Sequence, residues 1–161
     1  MASGLLTLKI ITPERVVLDE KVDEVMAKAI DGEFAVLPGH EPLITALAID
    51  VVRYKTNGVE HSAAVMGGLL EVGELPVTAE GTPAEGTHDR VVTVLSDLAE
   101  LDTEIDAARA HEEKEKAEAQ QITKTDKIDV YLSEMAMSKA MARLKAFELG
   151  RRRRGNRGMS E

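Results

Sequence analysis

The residues able to do chemistry in this chain are few, and they are charged rather than nucleophilic. Asp106 and Arg109 stand three apart within Ile105-Asp106-Ala107-Ala108-Arg109-Ala110. A guanidinium is a charge-assisted donor and a carboxylate an acceptor, so such a set can bind but not react. Local helix chemistry accounts for the same residues. Thr103 followed by Asp106 is close to a capping box, and Asp106 with Arg109 reads as an i,i+3 ion pair. His40, within Pro38-Gly39-His40, reads as a turn histidine with no second metal ligand suitably close. The four histidines, at 40, 61, 88 and 111, are scattered. The sequence contains no nucleophile elbow, HExxH or P-loop. The chain is therefore expected to be no enzyme by itself and to need no cofactor or metal.

These residues divide between two kinds of sequence. From Leu5 to Ser96 short apolar runs alternate with turn residues. Leu6-Thr7-Leu8-Lys9-Ile10 has period two, the mark of a half-buried strand, and Pro13 ends it. Val22 to Ala29 is a second run, closed by Asp31-Gly32, and Phe34 to Leu37 leads into Pro38-Gly39. Asn57-Gly58 separates Val51-Val52-Arg53-Tyr54 from Val59-Glu60-His61-Ser62-Ala63 and predicts a tight hairpin, since both residues tolerate positive φ. Gly67-Gly68 inside a strand pattern predicts a bulge or a close backbone approach. Met66 to Val72 and Arg90 to Leu95 supply further strands. Such frequent short strands read as an antiparallel sandwich or barrel, and with only 2% aromatic residues an aliphatic core suits a small β-sandwich over residues 1–97.

After Ser96 the composition changes. Ala99 to Gln121 has no Gly or Pro and is dense in Ala, Glu and Lys, which predicts a helix supported by pairs such as Glu112 with Lys116. Thr125 or Asp126 can cap a second helix from about Ile128 to Leu149, with Gly150 as its expected stop. Residues 98–150 thus read as a two-helix antiparallel hairpin, weakly held because its first helix is polar and its second is rich in Met and Ala. Residues 151–161, with Arg151 to Arg154 and Arg157, read as a basic, disordered tail. The fold class is α+β, sandwich first and hairpin second.

Composition removes several functions. The 161 residues carry 29 acids against 20 bases, a net charge of −9, while the tail is basic, so the body is more acidic still. Nonspecific nucleic-acid binding needs clustered cations against phosphate, so nucleic acid is not an expected partner. Cysteine is absent, which removes disulfides and thiolate metal sites. Met1 to Leu6 lacks a basic leader and a long apolar region, and no apolar run approaches the roughly 20 residues that span a bilayer. Membrane association is expected only indirectly, through a partner or the basic tail.

The order of Gly32-Glu33 with Pro38-Gly39-His40-Glu41-Pro42-Leu43, then the Asn-Gly hairpin, then Gly67-Gly68-Leu69-Leu70-Glu71-Val72, then helices, resembles the epsilon subunit of bacterial F-type ATP synthase. The resemblance covers roughly Leu5 to Leu149. It departs at residues 73–89, longer than the family's tight turn, and at the arginine-rich extension. It implies a central-stalk rotor subunit at the cytoplasmic face of the bacterial plasma membrane, coupling ion-driven rotation to ATP synthesis. The implied partners are the gamma subunit, the ring of c subunits and, in an inhibited state, the alpha/beta head. The hairpin would inhibit ATP hydrolysis when extended and permit it when folded.

By the same resemblance, Glu33 and His40 are implied partner contacts. Glu100, Ile105, Asp106, Arg109, Ala110 and Arg143 are implied contacts for ATP as a regulatory ligand. Lys116 and Lys139 stand where the family's stronger binders carry arginine, which keeps the charge but loses the bidentate fork. Two other readings compete: an adaptor that docks through its helical tail, and a free-standing ATP sensor.

Overall fold

Alternation in the first strand is realised almost residue by residue. In the computed structural model, which describes residues 6–74, 89–123 and 126–157, strand β1 (Leu6–Ile11) buries every second side chain, Leu6, Leu8 and Ile10. It is followed by β2 (Val16–Val22), β3 (Glu24–Ala29), β4 (Gly32–Val36), β5 (Leu43–Thr56), β6 (Val59–Glu74), β7 (Arg90–Leu95) and β8 (Ala99–Leu101). Two helices close the chain, α1 (Ala107–Thr123) and α2 (Lys127–Arg157). The strand order is β2-β1-β7-β6-β5-β3-β4, with β8 paired to β6. Every pairing is antiparallel except β1 with β7, which is parallel.

The two longest strands make the sandwich. β5 and β6 pair in one register from Leu43↔Val72 to Thr56↔Val59, skipping only Ala48 opposite Gly67, around the Asn57-Gly58 turn, where both φ angles are positive. The first half of β6 pairs with β8 and the second half with β7. Between them the buried side changes: Ala63 and Val65 face the main core with Leu70 and Val72, whereas Ala64 and Met66 face a second cluster. Odd positions point inward before Gly67-Gly68 and even positions after it. Both glycines have positive φ, and Gly68 lies so close to Leu95 that a Cβ there would overlap the Leu95 carbonyl. The predicted close approach is therefore the place where the strand passes from one layer to the other.

The second cluster explains why Ser62 to Gly67 is buried without alternation. Its inward residues meet the sandwich core, and its outward ones meet Ile105, Ala142 and Ala146. Helix α2 lies near enough for the Ser62 hydroxyl to donate to the Ala146 carbonyl at 3.1 Å. Between the helices, Ala110 and Ala117 on α1 and Ser133 and Ala140 on α2 are buried. Each pair is spaced by seven, and such small side chains let helices pack closely. The hairpin that composition reads as weakly held is thus fastened by close small-residue packing on two sides.

Three boundaries differ from expectation. Ala99–Leu101 is a strand and not the first turn of a helix, because the open edge of β6 takes it up in the pairing Ala63↔Leu101, Ala64↔Glu100 and Val65↔Ala99. Tertiary pairing here overrides helix propensity, and the sheet extends past the expected limit at residue 97. Thr103 is not the cap: Asp106 is, its Oδ1 accepting from the amides of Ala108 at 3.0 Å and Arg109 at 3.2 Å. Nor does Gly150 end the second helix, which continues to Arg157, so residues 151–157 are helical. Of the two proposed caps for α2, Asp126 accepts from the Ile128 amide at 3.1 Å; Thr125 lies outside the described residues. So do residues 75–88 of the long connection and 158–161 of the tail.

Candidate functional site

A cleft of about 260 Å3 opens between the β8–α1 connection and the facing helices, lined by Leu98, Glu100, Glu104, Asp106, Arg109, Ala110, Glu113 and Arg143. Strand β8 presents Glu100, the first turn of α1 presents Arg109 and Ala110, and α2 brings Arg143 across from forty-three residues away. Five of the six residues expected to meet a nucleotide therefore share one cleft. The sixth, Ile105, does not line it and is buried in the cluster with Met66 and Ala146. Neither Lys116 nor Lys139 lines it, and Lys116 is paired with Glu112 at 2.6 Å.

The charges inside the cleft already satisfy one another. Arg143 Nε donates to Glu100 Oε2 at 2.5 Å, and its Nη1 donates to Glu113 Oε2 at 2.8 Å. Arg109 Nε donates to the other oxygen of Glu113 at 3.1 Å. The expected pair between Arg109 and Asp106 is not the one formed, because Asp106 is engaged as the cap. Glu113 thus bridges both guanidiniums. Sequence reasoning missed it, although its i,i+4 spacing from Arg109 was a usable signal. Arg15 closes the rim, donating to Glu104 Oε2 at 2.7 Å; that hydrogen bond holds the Glu104 carboxyl below its ordinary range despite partial burial. No reacting constellation results, only a polar pocket with two guanidiniums and a ring of carboxylates.

The two expected contact residues lie apart from this cleft and from each other. Glu33 is the second residue of β4, opposite Lys28, and lines a separate cavity of about 290 Å3 with Asp50, Arg53 and Lys145. His40 ends a turn in which its amide donates to the Leu37 carbonyl at 3.0 Å, with Gly39 at positive φ. Arg90, largely buried, donates through Nε to the His40 carbonyl at 2.8 Å and through Nη1 to Glu74 at 3.0 Å. This clasp spans fifty residues and had no local signal.

The Glu33 cavity also carries a polar tie between α2 and the sheet. Lys145 Nζ donates to Asp50 Oδ1 at 2.6 Å, and Lys28 lies 3.4 Å from Oδ2. Burial pushes the Asp50 carboxyl up, but the Lys145, Val51 amide and Lys28 hydrogen bonds outweigh it and leave it below its ordinary value. A depressed carboxyl contributes stability above its unfolded value and loses it as pH falls through the folded value. Docking of α2 should therefore weaken below about pH 4, and in Asp50→Asn that acid limb should flatten. The separation between spin labels on α2 and on the sandwich, measured against pH, checks this, and an unchanged limb would refute it.

Comparison with known proteins matches the order of sandwich and helices. The family described as the ATP synthase delta/epsilon chain, beta-sandwich domain, matches residues 5–85, and the corresponding long alpha-helix domain matches residues 103–148. An ATP synthase epsilon chain from Desulforamulus reducens is 40% identical over 141 residues, 88% of this chain and 96% of that one. One from Symbiobacterium thermophilum is 40% identical over 142 residues, 88% of this chain and 91% of its own. A chain in the Euglena gracilis mitochondrial ATP synthase structure shares the fold at a TM-score of 0.69 and 22% identity, covering 91% of this chain and 82% of its own.

Proposed function

The chain belongs to the delta/epsilon family of ATP synthase subunits, and on that premise we propose that it works as a rotor part with a movable hairpin. Its sandwich joins the gamma subunit to the ring of c subunits, so that ion-driven rotation reaches the catalytic head. The hairpin folds on the sandwich during turnover and restrains ATP hydrolysis when it extends toward the alpha/beta head. The observation that carries this is the attachment of α2. It rests on a cluster separate from the main core, where Ala142 and Ala146 pack with partly buried Phe147 and Leu149, and on side-chain ties at Asp50, Glu100 and Asp102, so it can detach without opening the main core. Glu33 and His40 remain proposed partner contacts. No described helix is long and apolar enough to cross a membrane, and peripheral attachment through the complex at the cytoplasmic membrane face fits this reading.

The test is co-purification of the tagged chain with its gamma subunit, followed by ATPase assay of the assembled head. The truncated form should stop at Leu101, since removing Ala99–Leu101 would strip a strand from β6. Complex formation with a severalfold rise in hydrolysis on truncation is expected. A complex whose hydrolysis does not change would reduce the hairpin to a passive brace.

ATP is the proposed regulatory ligand of the cleft, favouring the folded hairpin. At 100 times its Kd such a ligand would shift the balance by about 2.7 kcal/mol. Phosphate would have to displace Glu113 from Arg109 and Arg143. Glu113→Gln removes that competitor and should tighten ATP binding about tenfold, in keeping with hydrogen bonds to charged groups worth roughly 1.5–3 kcal/mol. Titration calorimetry of the two chains decides it. Equal affinities would mean that phosphate does not meet these two arginines.

A further inference from the structure

The arginine-bearing end of α2 lies beyond the matched helical domain, which stops at residue 148. Within it, Arg153 is turned inward while Arg151, Arg152 and Arg154 are exposed. Its guanidinium makes three contacts with the sandwich side. Nη1 donates to the Glu60 carbonyl at 3.2 Å and meets His61 Nδ1 at 2.8 Å, and Nη2 lies 3.1 Å from Asp102 Oδ2.

The receiving surface is held by the sheet. Asp102 is 4% exposed and anchored by its amide, which donates to the Ser62 carbonyl at 3.0 Å and so continues the β8–β6 ladder. The His61 ring is stacked on Tyr54, its cross-strand partner, with centroids 5.4 Å apart. Tyr54 is itself buried, which raises its phenol above the ordinary value, helped by Glu20 and Asp102.

Helix α2 reaches this surface because one position on the docked face has no side chain. Ala142, Ala146 and Gly150 follow one another at intervals of four along α2, all buried. At Gly150 a Cβ would overlap the Asp102 carboxylate. That carboxylate oxygen has no aligned hydrogen bond among the described residues and faces Arg153 as an ion pair. A buried carboxylate left without its cation is strongly unfavourable, so the hairpin cannot lift without exposing or hydrating this group.

We infer that the extension past Leu149 is a latch. Arg153, admitted by the gap at Gly150 and received by Asp102, His61 and the Glu60 carbonyl, fastens the hairpin to the sandwich without any ligand. Arg151, Arg152 and Arg154 are left facing outward. The latch is made within one chain and stands whether or not the hairpin restrains hydrolysis.

The chain has no cysteine, so one spin label on the sandwich at Glu14→Cys and one on α2 at Ala136→Cys can report their separation in the full chain. The unmutated latch without nucleotide should give a single distance, that of the docked hairpin. Arg153→Ala should raise a second, longer population at least about tenfold, since breaking a buried pair costs several kcal/mol. Termination after Leu149 should do the same. The sandwich's own unfolding transition should remain in both.

An unchanged distance distribution in both variants would overturn the latch. So would loss of the sandwich transition in Arg153→Ala together with an unchanged distribution in the truncated chain, because Arg153 would then support the domain and not the hairpin.

Discussion

Replacing Gly68 with alanine should cost the sandwich about 3 kcal/mol or more, combining backbone strain with overpacking. The residue has φ +113, a conformation L side chains rarely adopt, and its Cβ would fall onto the Leu95 carbonyl oxygen and within 3.0 Å of the Leu95 carbonyl carbon and Ser96 Cα. Those atoms are backbone and cannot rotate aside, so β6 and the end of β7 must separate where the buried side of β6 changes. Gly67 provides the control. It also has positive φ, +77, but its nearest neighbour, the Leu47 carbonyl oxygen, would lie 3.5 Å from a Cβ, an ordinary contact. Gly67→Ala should therefore cost only the strain, about 1 kcal/mol. Urea midpoints of the two variants separate the terms. If Gly68→Ala lost no more than Gly67→Ala, the close approach to Leu95 would contribute nothing.

The second large effect runs against helix propensity. Alanine in place of a helix-interior glycine normally gains up to about 1 kcal/mol, and Gly155→Ala, with nothing within 4 Å of its Cβ, should move mildly in that direction. Gly150→Ala should instead destabilise the docked hairpin by about 2 kcal/mol. The new methyl would displace the Asp102 carboxylate and come within 2.9 Å of its Cβ. Asp102 is fixed on the backbone beside Ser62 and cannot retreat without losing Arg153. Thermal unfolding of the two variants should therefore shift in opposite directions. A rise in both would show that Asp102 does not fill that gap.

Gly150 also shows where local reading fails. A glycine after a run of helical spacing is an ordinary stop signal, and the sequence offers nothing against it. What keeps the helix going is the surface beneath it: the glycine serves approach and not termination. The strand at Ala99–Leu101 has the same cause. Ala, Glu and Leu favour a helix, and only the open edge of β6 recruits them. The cleft was partly legible. Asp106 and Arg109 stood out by spacing, and Arg143 by resemblance, but their partners were misassigned because Asp106 was needed as a cap and Glu113 reached both arginines.

Alternation, turn residues and the lack of Gly and Pro from Ala99 to Gln121 determined, without any structure, that a strand-built sandwich precedes a helical hairpin. They also located the Asn57-Gly58 hairpin and the special character of Gly67-Gly68, because φ preferences and burial periodicity act within a few residues. Only the tertiary structure decided that Arg153 meets Asp102, that Arg90 clasps the His40 turn and that Glu113 fills the cleft. These depend on which charged groups packing brings within hydrogen-bonding distance. For Arg153 and Arg90 the partners lie about fifty residues apart or more, beyond the reach of any local rule.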